Sequence, residues 1–294
     1  MTQSLFAACQ INGELVAKRV SLSEEVRQSI VDLFREQEKE FLDGVTEEIP
    51  YRGNWKPDKE ELLILDVPQE ANIFEKTITA NATSIQRIKI SNFSNEEIKA
   101  LFMSISTMES TKILVQKFTP HQILGRKFSL IHDGNTFRHL SEPAFTLDTS
   151  LTCIIEGGKI KFKSRHNMSS IVSMREIHRV ATEPEVRSFT EHKAFKVKDV
   201  DAFVNMTNQT SRKLIHEITE SGVLDRHTPT QICIAAKETN LTVTIKDGKI
   251  VMPTKHNEVK ALLQFLNEGR YSGPLSHQSY ITNSRRLAEQ NQGQ

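Results

Sequence analysis

Four basic residues at alternate positions, Lys159, Lys161, Lys163 and Arg165, form the clearest chemical pattern in this sequence. Side chains at alternate positions of a β-strand project from one face, so these four would line up as a basic strip. Ammonium and guanidinium groups spaced in this way can contact successive phosphates of a nucleic acid. The pattern therefore predicts a DNA-binding surface. The alternative is an ordinary solvated strand face, on which lysines deter sheet-to-sheet aggregation.

The strip belongs to a segment that occurs twice. Residues 151–167 (LTCIIEGGKIKFKSRHN) align without a gap to residues 241–257 (LTVTIKDGKIVMPTKHN), and eight of the seventeen positions are identical. Each copy has the pattern of a strand, a tight glycine turn, a second strand and a helix capped by Asn167 or Asn257. Backbone geometry alone would require the glycine and the asparagine.

The second copy extends the candidate surface with Lys249, just after its turn, and Lys255, near its predicted helix start. Free N–H groups and the positive dipole at a helix N-terminus attract phosphate, so two such units would offer two phosphate contacts. Lys159, Lys161, Lys163, Arg165, Lys249 and Lys255 are thus the predicted DNA-binding residues. Weaker candidates are Arg126, Lys127, Arg175 and Arg179.

Catalytic motifs are absent from the sequence, including those of serine hydrolases, phosphate-binding loops, dinucleotide sites and zinc sites. The nearest approach is Asp247 followed by Glu258 and Lys260, a loose set that could hold Mg²⁺ for phosphodiester cleavage. Glu258 and Lys260 lie on a predicted helix, whereas that chemistry is normally arranged on a hairpin. We predict no catalytic residue, no metal and no cofactor, with a metal-dependent nuclease as the alternative.

The 294 residues, 37% hydrophobic and 26% charged, predict an α+β fold of β-hairpins with packed helices in two lobes. Residues 1–110 carry a net charge of −7 and residues 111–200 a net charge of +6. We therefore predict an acidic N-terminal lobe at 1–110, a basic core at 111–288 and a disordered tail at 289–294. Three interpretations of the charge asymmetry stay open, namely a polyanion partner, attraction between the two halves, and ordinary solvated faces.

The three cysteines, Cys9, Cys153 and Cys233, are odd in number and lie in apolar, strand-like runs. This arrangement predicts reduced, buried thiols and no disulfide. No apolar run approaches the roughly 20 residues needed to span a bilayer, and the N-terminal residues do not have the pattern of a signal peptide. We therefore expect a cytoplasmic protein.

Local signals predict the elements that position the basic residues. Asn12-Gly13 predicts a hairpin, and Ser23 predicts the start of a helix that Gly44 ends. Further hairpins are predicted at Asp133-Gly134-Asn135, at Gly157-Gly158 and at Asp247-Gly248. The other predicted elements are strands at Ile85–Ile90 and Lys112–Phe118 and helices at Asn95–Met103, Val200–Met206, Ser211–Glu220 and Glu258–Leu266.

The stretch from Phe128 to Phe189 resembles the core of the Kiwa protein B family. In that family a hairpin precedes a segment with Phe, Leu and Asp, then a strand, a turn, a second strand and a helix. The C-terminal stretch is similar to the family's closing segment, so the resemblance covers roughly residues 110–287. The residues that match in order are Phe145, Leu147, Asp148, Ile154, Ile155, Ile160, Phe162 and Asn167.

The resemblance implies a cytosolic subunit of a two-gene bacterial antiphage defence system. Such a subunit binds double-stranded phage DNA without cutting it and acts with a small integral-membrane partner, which would recruit it to the inner membrane. Non-specific DNA binding requires only basic side chains along a phosphate track. We also expect a homo-oligomer. A scaffold that binds only protein is the third interpretation, since charge asymmetry and self-association would suffice for it.

Overall fold

The computed structural model describes residues 3–51, 53, 55–89, 93, 95–107, 110–124, 130–140, 144–174 and 179–286. Helices and mainly antiparallel sheets are both present, which confirms the predicted α+β class. The chain divides into two compact units. The first comprises Met1–Tyr51 and Pro57–Met174, and the second comprises Arg52–Lys56 and Arg175–Gln294.

The first unit contains helices α1 Glu24–Leu42, α2 Asn72–Thr79 and α3 Arg165–Ser169. Its strands are β1 Phe6–Ile11, β2 Glu14–Arg19, β3 Glu47–Pro50, β4 Glu61–Asp66, β5 Ile98–Ser106, β6 Thr111–Lys117, β7 Ile123–Leu124, β8 Leu130–Asp133, β9 Thr136–His139, β10 Ala144–Phe145, β11 Cys153–Glu156 and β12 Lys159–Phe162. Eight of them form one sheet in the order β2-β1-β5-β6-β11-β12-β4-β3, with β3 and β4 parallel.

Both faces of this sheet are covered. On one face, Phe34 and Phe41 of α1 belong to the same buried cluster as Leu114 of β6 and Ile154 of β11. On the other face, Phe74 of α2 packs edge-to-face on Phe102 of β5, with ring centroids 4.8 Å apart. Burying the strands on both sides means that side chains on either face contribute to the hydrophobic core.

Local predictions at the N-terminus are confirmed. The Asn12-Gly13 turn joins β1 to β2, and both residues have positive φ values, 50° and 87°. The Ser23 side chain accepts a hydrogen bond from the Val26 N–H at 3.3 Å and caps α1. These elements depend on residues adjacent in sequence, so local patterns suffice to predict them.

Two other local predictions are wrong. The segment predicted as a helix at Asn95–Met103 contains the start of β5, because a strand buried on both faces has no clear alternation to distinguish it from a helix. The segment predicted as a strand at Ile85–Ile90 contains only an isolated bridge between Arg87 and Arg19, and Ile90 lies outside the described residues.

The division into units also differs from the predicted lobes. Strands β5 and β6 pair from Ala100 opposite Lys117 to Ser106 opposite Thr111, so residue 110 falls within one continuous hairpin. The boundary between the units lies at residues 174 and 175 instead. The strand pairing that joins the acidic and basic segments is tertiary information that net charge does not contain. The predicted tail at 289–294 lies outside the described residues.

The second unit contains helices α4 Glu183–Glu191, α5 Val200–Met206, α6 Gln209–Ser221, α7 Val223–Arg226, α8 Pro229–Glu238 and α9 His256–Leu266. Its strands are β13 Phe195–Lys196, β14 Ile245–Lys246, β15 Lys249–Val251, β16 Arg270–Ser272 and β17 Ser279–Ile281. They form a three-stranded sheet in the order β13-β15-β14 and a two-stranded ribbon of β16 and β17. Phe195, Ile215, Ile250 and Leu263 lie in the core.

Each of the two similar segments contains a hairpin followed by a helix, but the predicted N-caps are wrong. Ser164 caps α3, with its side chain accepting from the Asn167 N–H at 3.3 Å. Lys255 occupies the N-cap position of α9 without a side-chain capping bond. Asn167 and Asn257 therefore lie inside the first helical turns, because each helix begins earlier than the asparagine pattern indicated.

Candidate nucleic-acid interface

The basic strip of the first copy begins on β12, which is an interior strand of the large sheet. Lys159 lies directly opposite Glu156 of β11 and Asp66 of β4. Cross-strand neighbours project from the same face, so the exposed Lys159 stands between two carboxylates. The local charge around Lys159 is therefore not positive.

Lys161, the next residue of the strip, is held by two carboxylates. Its Nζ lies 2.6 Å from Glu48 Oε1 and 3.3 Å from Glu156 Oε2, and its side chain is 20% exposed. Burial lowers the pKa of Lys161, but hydrogen bonds and charge from Glu48 and Glu156 outweigh burial and raise that pKa. The ammonium is thus engaged in an ion-pair network.

Glu156 is stabilised as a carboxylate by the same network. Burial raises its pKa, but hydrogen bonds from Ser110 and Lys161 lower it overall. The Ser110 Oγ donates to Glu156 at 2.8 Å. Nearby, Lys112 pairs with Glu38 at 2.7 Å.

These charged groups border a cavity of about 280 Å³, whose apolar lining includes Leu42, Val45 and Ile154. Lys112 and Lys161 both line this cavity, and both already have carboxylate partners. A phosphate would have to break an ion pair to reach either ammonium. This part of the first unit is therefore better suited to stabilising the sheet than to receiving DNA.

The remaining strip residues differ in their availability. The Lys163 Nζ lies 5.5 Å from the centre of the Phe41 ring, a cation–π contact with α1. Arg165 is exposed at the start of α3. Burial raises the pKa of Tyr51 to about 12, and the nearby charge of Arg165 opposes that shift. The strip thus separates into exposed Lys159 and Arg165 and engaged Lys161 and Lys163.

The second copy has the opposite electrostatic character. Lys246 of β14 lies directly opposite Lys249 of β15, and both side chains are exposed. The position that holds Glu156 in the first copy holds Lys246 in the second. In the part of the chain that the structure describes, neither lysine forms an ion pair. The sequence pattern predicts Lys249 as a contact but does not single out Lys246, which only the alignment of the two copies sets against Glu156.

A third lysine, Lys196 of β13, projects from the same outward face as Lys249. Lys196 is the parallel neighbour of Val251, whereas the neighbouring pair Phe195 and Ile250 points into the core. The Lys196 Nζ lies 2.5 Å from Asp247 in the hairpin turn. We call Lys196, Lys246 and Lys249 the lysine face. With Asp247 included, its net charge is +2.

The other predicted contacts are less available. Lys255 is exposed but lies 3.2 Å from Glu258. Arg179 is exposed and paired with Glu185. Arg126, Lys127 and Arg175 lie outside the described residues.

Both carboxylates of the nuclease alternative already form ion pairs with lysines outside the proposed set. Asp247 is paired with Lys196, and Glu258 is paired with Lys255. Glu258 and Lys260 are two positions apart on α9, so their side chains do not share one side of the helix. Among the described residues, no group of three or more His, Cys, Asp or Glu side chains is arranged to hold a metal ion.

The cysteines are free thiols, as the sequence predicted. Burial raises the pKa of Cys9 to about 11 and the pKa of Cys153 to about 12. Cys233 is only half-buried, and its thiol donates to the Val243 carbonyl at 3.3 Å. The two fully buried thiols are poor nucleophiles near neutral pH.

A second cavity, of about 170 Å³, was not anticipated from the sequence. Ser188, His192 and Asp225 line it in the second unit. The His192 Nδ1 accepts the Ala194 N–H at 3.2 Å, and its Nε2 lies 3.3 Å from Asp225 Oδ1. Both ring nitrogens are therefore engaged, and neither is oriented to activate Ser188 as a nucleophile.

The fold and these charged surfaces define a two-unit α+β protein with an ion-paired sheet in one unit and an exposed lysine face in the other. A family model described as Kiwa protein KwaB-like matches residues 95–276, more than half of the chain. The chain belongs to this family. Membership indicates a component of Kiwa antiphage defence, which acts as a multi-component complex.

No curated protein and no solved structure matches the chain. Among the helices of the described residues, none has the length and apolar character required to cross a membrane.

Proposed function

We propose that this protein is the non-catalytic, DNA-binding subunit of a Kiwa antiphage defence complex. It holds double-stranded phage DNA on a basic surface, resides in the cytoplasm as a homo-oligomer and is recruited to the inner membrane by a membrane-embedded partner. The observation that carries the proposal is the exposed pair Lys246 and Lys249, two ammonium groups directly opposite each other with no carboxylate partner among the described residues.

Like charges directly opposite each other destabilise a hairpin. A bound polyanion would relieve this repulsion, and each neutralised phosphate would release counterions. In the first copy Glu156 lies opposite Lys159, so this hairpin has no like-charge repulsion that a bound phosphate could relieve. Lys255 stays a predicted contact, although it is paired with Glu258. Lys159 and Arg165 of the first unit are exposed and also stay predicted contacts, but Lys159 lies between two carboxylates. Lys161 and Lys163 stay predicted contacts, but each has an existing partner in the first unit.

The test is binding to a labelled duplex between about 50 and 200 mM salt, where several phosphate contacts change affinity by orders of magnitude. Lys246→Glu/Lys249→Glu should lower affinity and reduce the slope of log K against log salt by about two. The matched control is Lys39→Glu/Lys59→Glu, which makes the same change in net charge at exposed positions of the acidic segment. Wild-type binding by the lysine-face variant would show that the duplex binds elsewhere.

Two further outcomes would change the proposed class of protein. If the wild-type protein fails to bind duplex DNA at the lowest salt, a scaffold that binds only protein becomes the better proposal. Incubation with plasmid and Mg²⁺ or Mn²⁺ is expected to leave the plasmid intact. Cleavage that is lost in Asp247→Asn or Glu258→Gln would instead support the nuclease alternative.

The partner proposal has a separate test. Cell fractionation should find the protein in the soluble fraction when it is expressed alone and in the membrane fraction when the membrane-embedded partner is present. Size-exclusion chromatography with light scattering should give the mass of an oligomer, an integer multiple of the 33.5 kDa chain mass that is greater than one. A monomer, or membrane association without the partner, would contradict this part of the proposal.

A further inference from the structure

The ribbon of β16 and β17 carries an exposed pair of stacked tyrosines. Tyr271 lies directly opposite Tyr280, so the two side chains project from the same face. Their ring centroids are 5.4 Å apart and the ring planes differ by 22°. The stacked arrangement makes an aromatic platform that belongs to neither strand alone.

This platform is exposed to solvent, unlike the aromatic pair of Phe189 and Phe195 in the core of the second unit. Tyr271 is 47% exposed and Tyr280 is 40% exposed, whereas Phe189 and Phe195 are buried. Leu275, between the two strands, is also exposed, as is Ile281 on the opposite face of the ribbon. A contiguous pair of exposed aromatic side chains indicates a binding site more often than isolated exposed ones do.

The backbone of the ribbon is shaped to hold Tyr280. A Cβ at Gly273 would lie 2.8 Å from the Tyr280 ring and 2.7 Å from Ser276 Oγ, so only glycine fits there without displacing them. The Tyr280 and Ser276 hydroxyls lie 3.2 Å apart. Asn240 ties the ribbon to the end of α8 through a 2.8 Å hydrogen bond to Ser279. The platform is therefore preorganised.

The charge of this segment favours an anionic ligand. From residue 269 to residue 286 the sequence has three arginines, one histidine and no aspartate or glutamate. The Arg286 guanidinium lies 5.2 Å from the centre of the Trp55 ring, a cation–π contact within the second unit. The segment thus combines the stacked tyrosine pair with a net positive charge.

We propose that this ribbon is a second nucleic-acid site, specific for single-stranded nucleic acid. An unpaired base would stack on the Tyr271–Tyr280 platform, and the arginines would contact the adjoining phosphates. Bases in an intact duplex are already stacked on each other and cannot use the platform. The absence of acidic residues and the presence of three arginines favour a nucleic acid over a protein partner with a mixed-charge surface.

The ribbon and the lysine face share no residue, so an experiment can refute the single-strand proposal without refuting the duplex-binding proposal, and the reverse. Duplex binding by the lysine face requires only phosphate contacts, whereas binding at the ribbon requires a base. The two ligands that separate these requirements are an oligo-dT strand and an abasic strand of the same length, which has the same phosphates and no bases.

The experiment is fluorescence anisotropy of the full-length protein with both strands. Wild type should prefer oligo-dT to the abasic strand by on the order of tenfold. Tyr271→Ala and Tyr280→Ala should each remove most of this preference, and Tyr271→Phe should keep it because the ring can still stack. The Lys246→Glu/Lys249→Glu variant should lose duplex affinity and retain the preference for bases.

Equal affinity of the wild type for the two strands would overturn the proposal without depending on the folding of any variant. A preference for bases that survives Tyr271→Ala and Tyr280→Ala would also overturn it. Absence of binding to either strand, with binding to phospholipid vesicles or to a protein partner through the same tyrosines, would assign the platform to a different class of ligand. Loss of duplex binding alone would count only against the lysine face.

Discussion

Lys161→Met is expected to destabilise the first unit, although the alternation of basic residues predicts that Lys161 belongs to a DNA-binding strip. The substitution removes an ammonium that lies within 3.3 Å of Glu48 and Glu156 and leaves both carboxylates without that partner. Removing one partner of a fully buried ion pair costs about 3–5 kcal/mol, and an exposed pair contributes about 0–1 kcal/mol. Lys161 is 20% exposed and Glu48 is 45% exposed, which places this network between those limits.

We therefore expect Lys161→Met to lower the free energy of unfolding by about 1–2 kcal/mol. Lys161→Glu adds a third negative charge beside two carboxylates, so its loss should be larger, about 2–4 kcal/mol. A charge-reversal variant that includes Lys161 could therefore lose DNA binding for either of two reasons, a less stable fold or the loss of phosphate contacts. This is why the lysine face offers the cleaner test of DNA binding.

The effect should depend on pH in a defined direction. The pKa of Glu156 in the folded protein lies below its usual value of 4.5, so its contribution is present above that value and is lost as the pH falls through the folded pKa. The pKa of Lys161 is raised above 10.5, so its contribution is present below that value and is lost as the pH rises through the folded pKa. The difference between wild type and Lys161→Met should therefore be fully present near pH 7 and shrink in acid.

The assay must report on the first unit alone, because two units can unfold separately. Cys153 of β11 is fully buried, so its labelling in increasing urea, followed by mass spectrometry, reports opening of the sheet next to Lys161. Lys249→Met is the control, since it removes an exposed lysine from the second unit. Equal stability of Lys161→Met and wild type at pH 7, or an equal loss at pH 7 and in acid, would refute the proposed role of the ion pairs.

Three further outcomes are expected. Ser23→Ala should lower stability by about 1 kcal/mol in chemical denaturation, because α1 loses its N-cap bond; Ser23→Asp, which preserves a cap, is the control. Gly273→Ala should displace Tyr280 and weaken the preference for oligo-dT over the abasic strand, while duplex affinity is unchanged. In the native protein at pH 8, Cys9 and Cys153 should react with iodoacetamide far more slowly than free cysteine, because burial raises both pKa values; rapid alkylation would contradict that burial.

The sequence predicts the fold well where one or two neighbouring residues decide the backbone conformation. The Asn12-Gly13 hairpin and the Ser23 cap are such cases, and both are confirmed. The prediction is wrong at Asn95–Met103 because strand β5 is buried on both faces, so its apolar residues do not alternate with polar ones. The two compact units divide at residue 174 and not at residue 110, since the pairing of β5 with β6 is not visible in net charge.

For the candidate site, the sequence predicted Lys249 but neither Lys196 nor Lys246, and it did not predict the carboxylate and aromatic partners of the first strip. Lys246 could have been found by comparing its position with Glu156 in the other copy. The stacking of Tyr271 on Tyr280 required knowledge that their strands pair, because the two residues are adjacent only across the ribbon. No motif signals such a pair.

The sequence by itself determined the α+β class, the positions of the glycine hairpins, the free thiols and the resemblance that family membership confirmed. Only the tertiary structure decided which basic side chains remain available to contact a ligand. Lys161 is neutralised by Glu48 from β3, and Lys163 contacts Phe41 from α1, residues that are distant in sequence. Ion pairing and cation–π contact act over a few ångströms of space, so the alternation of lysines along one strand cannot reveal which of them are already occupied.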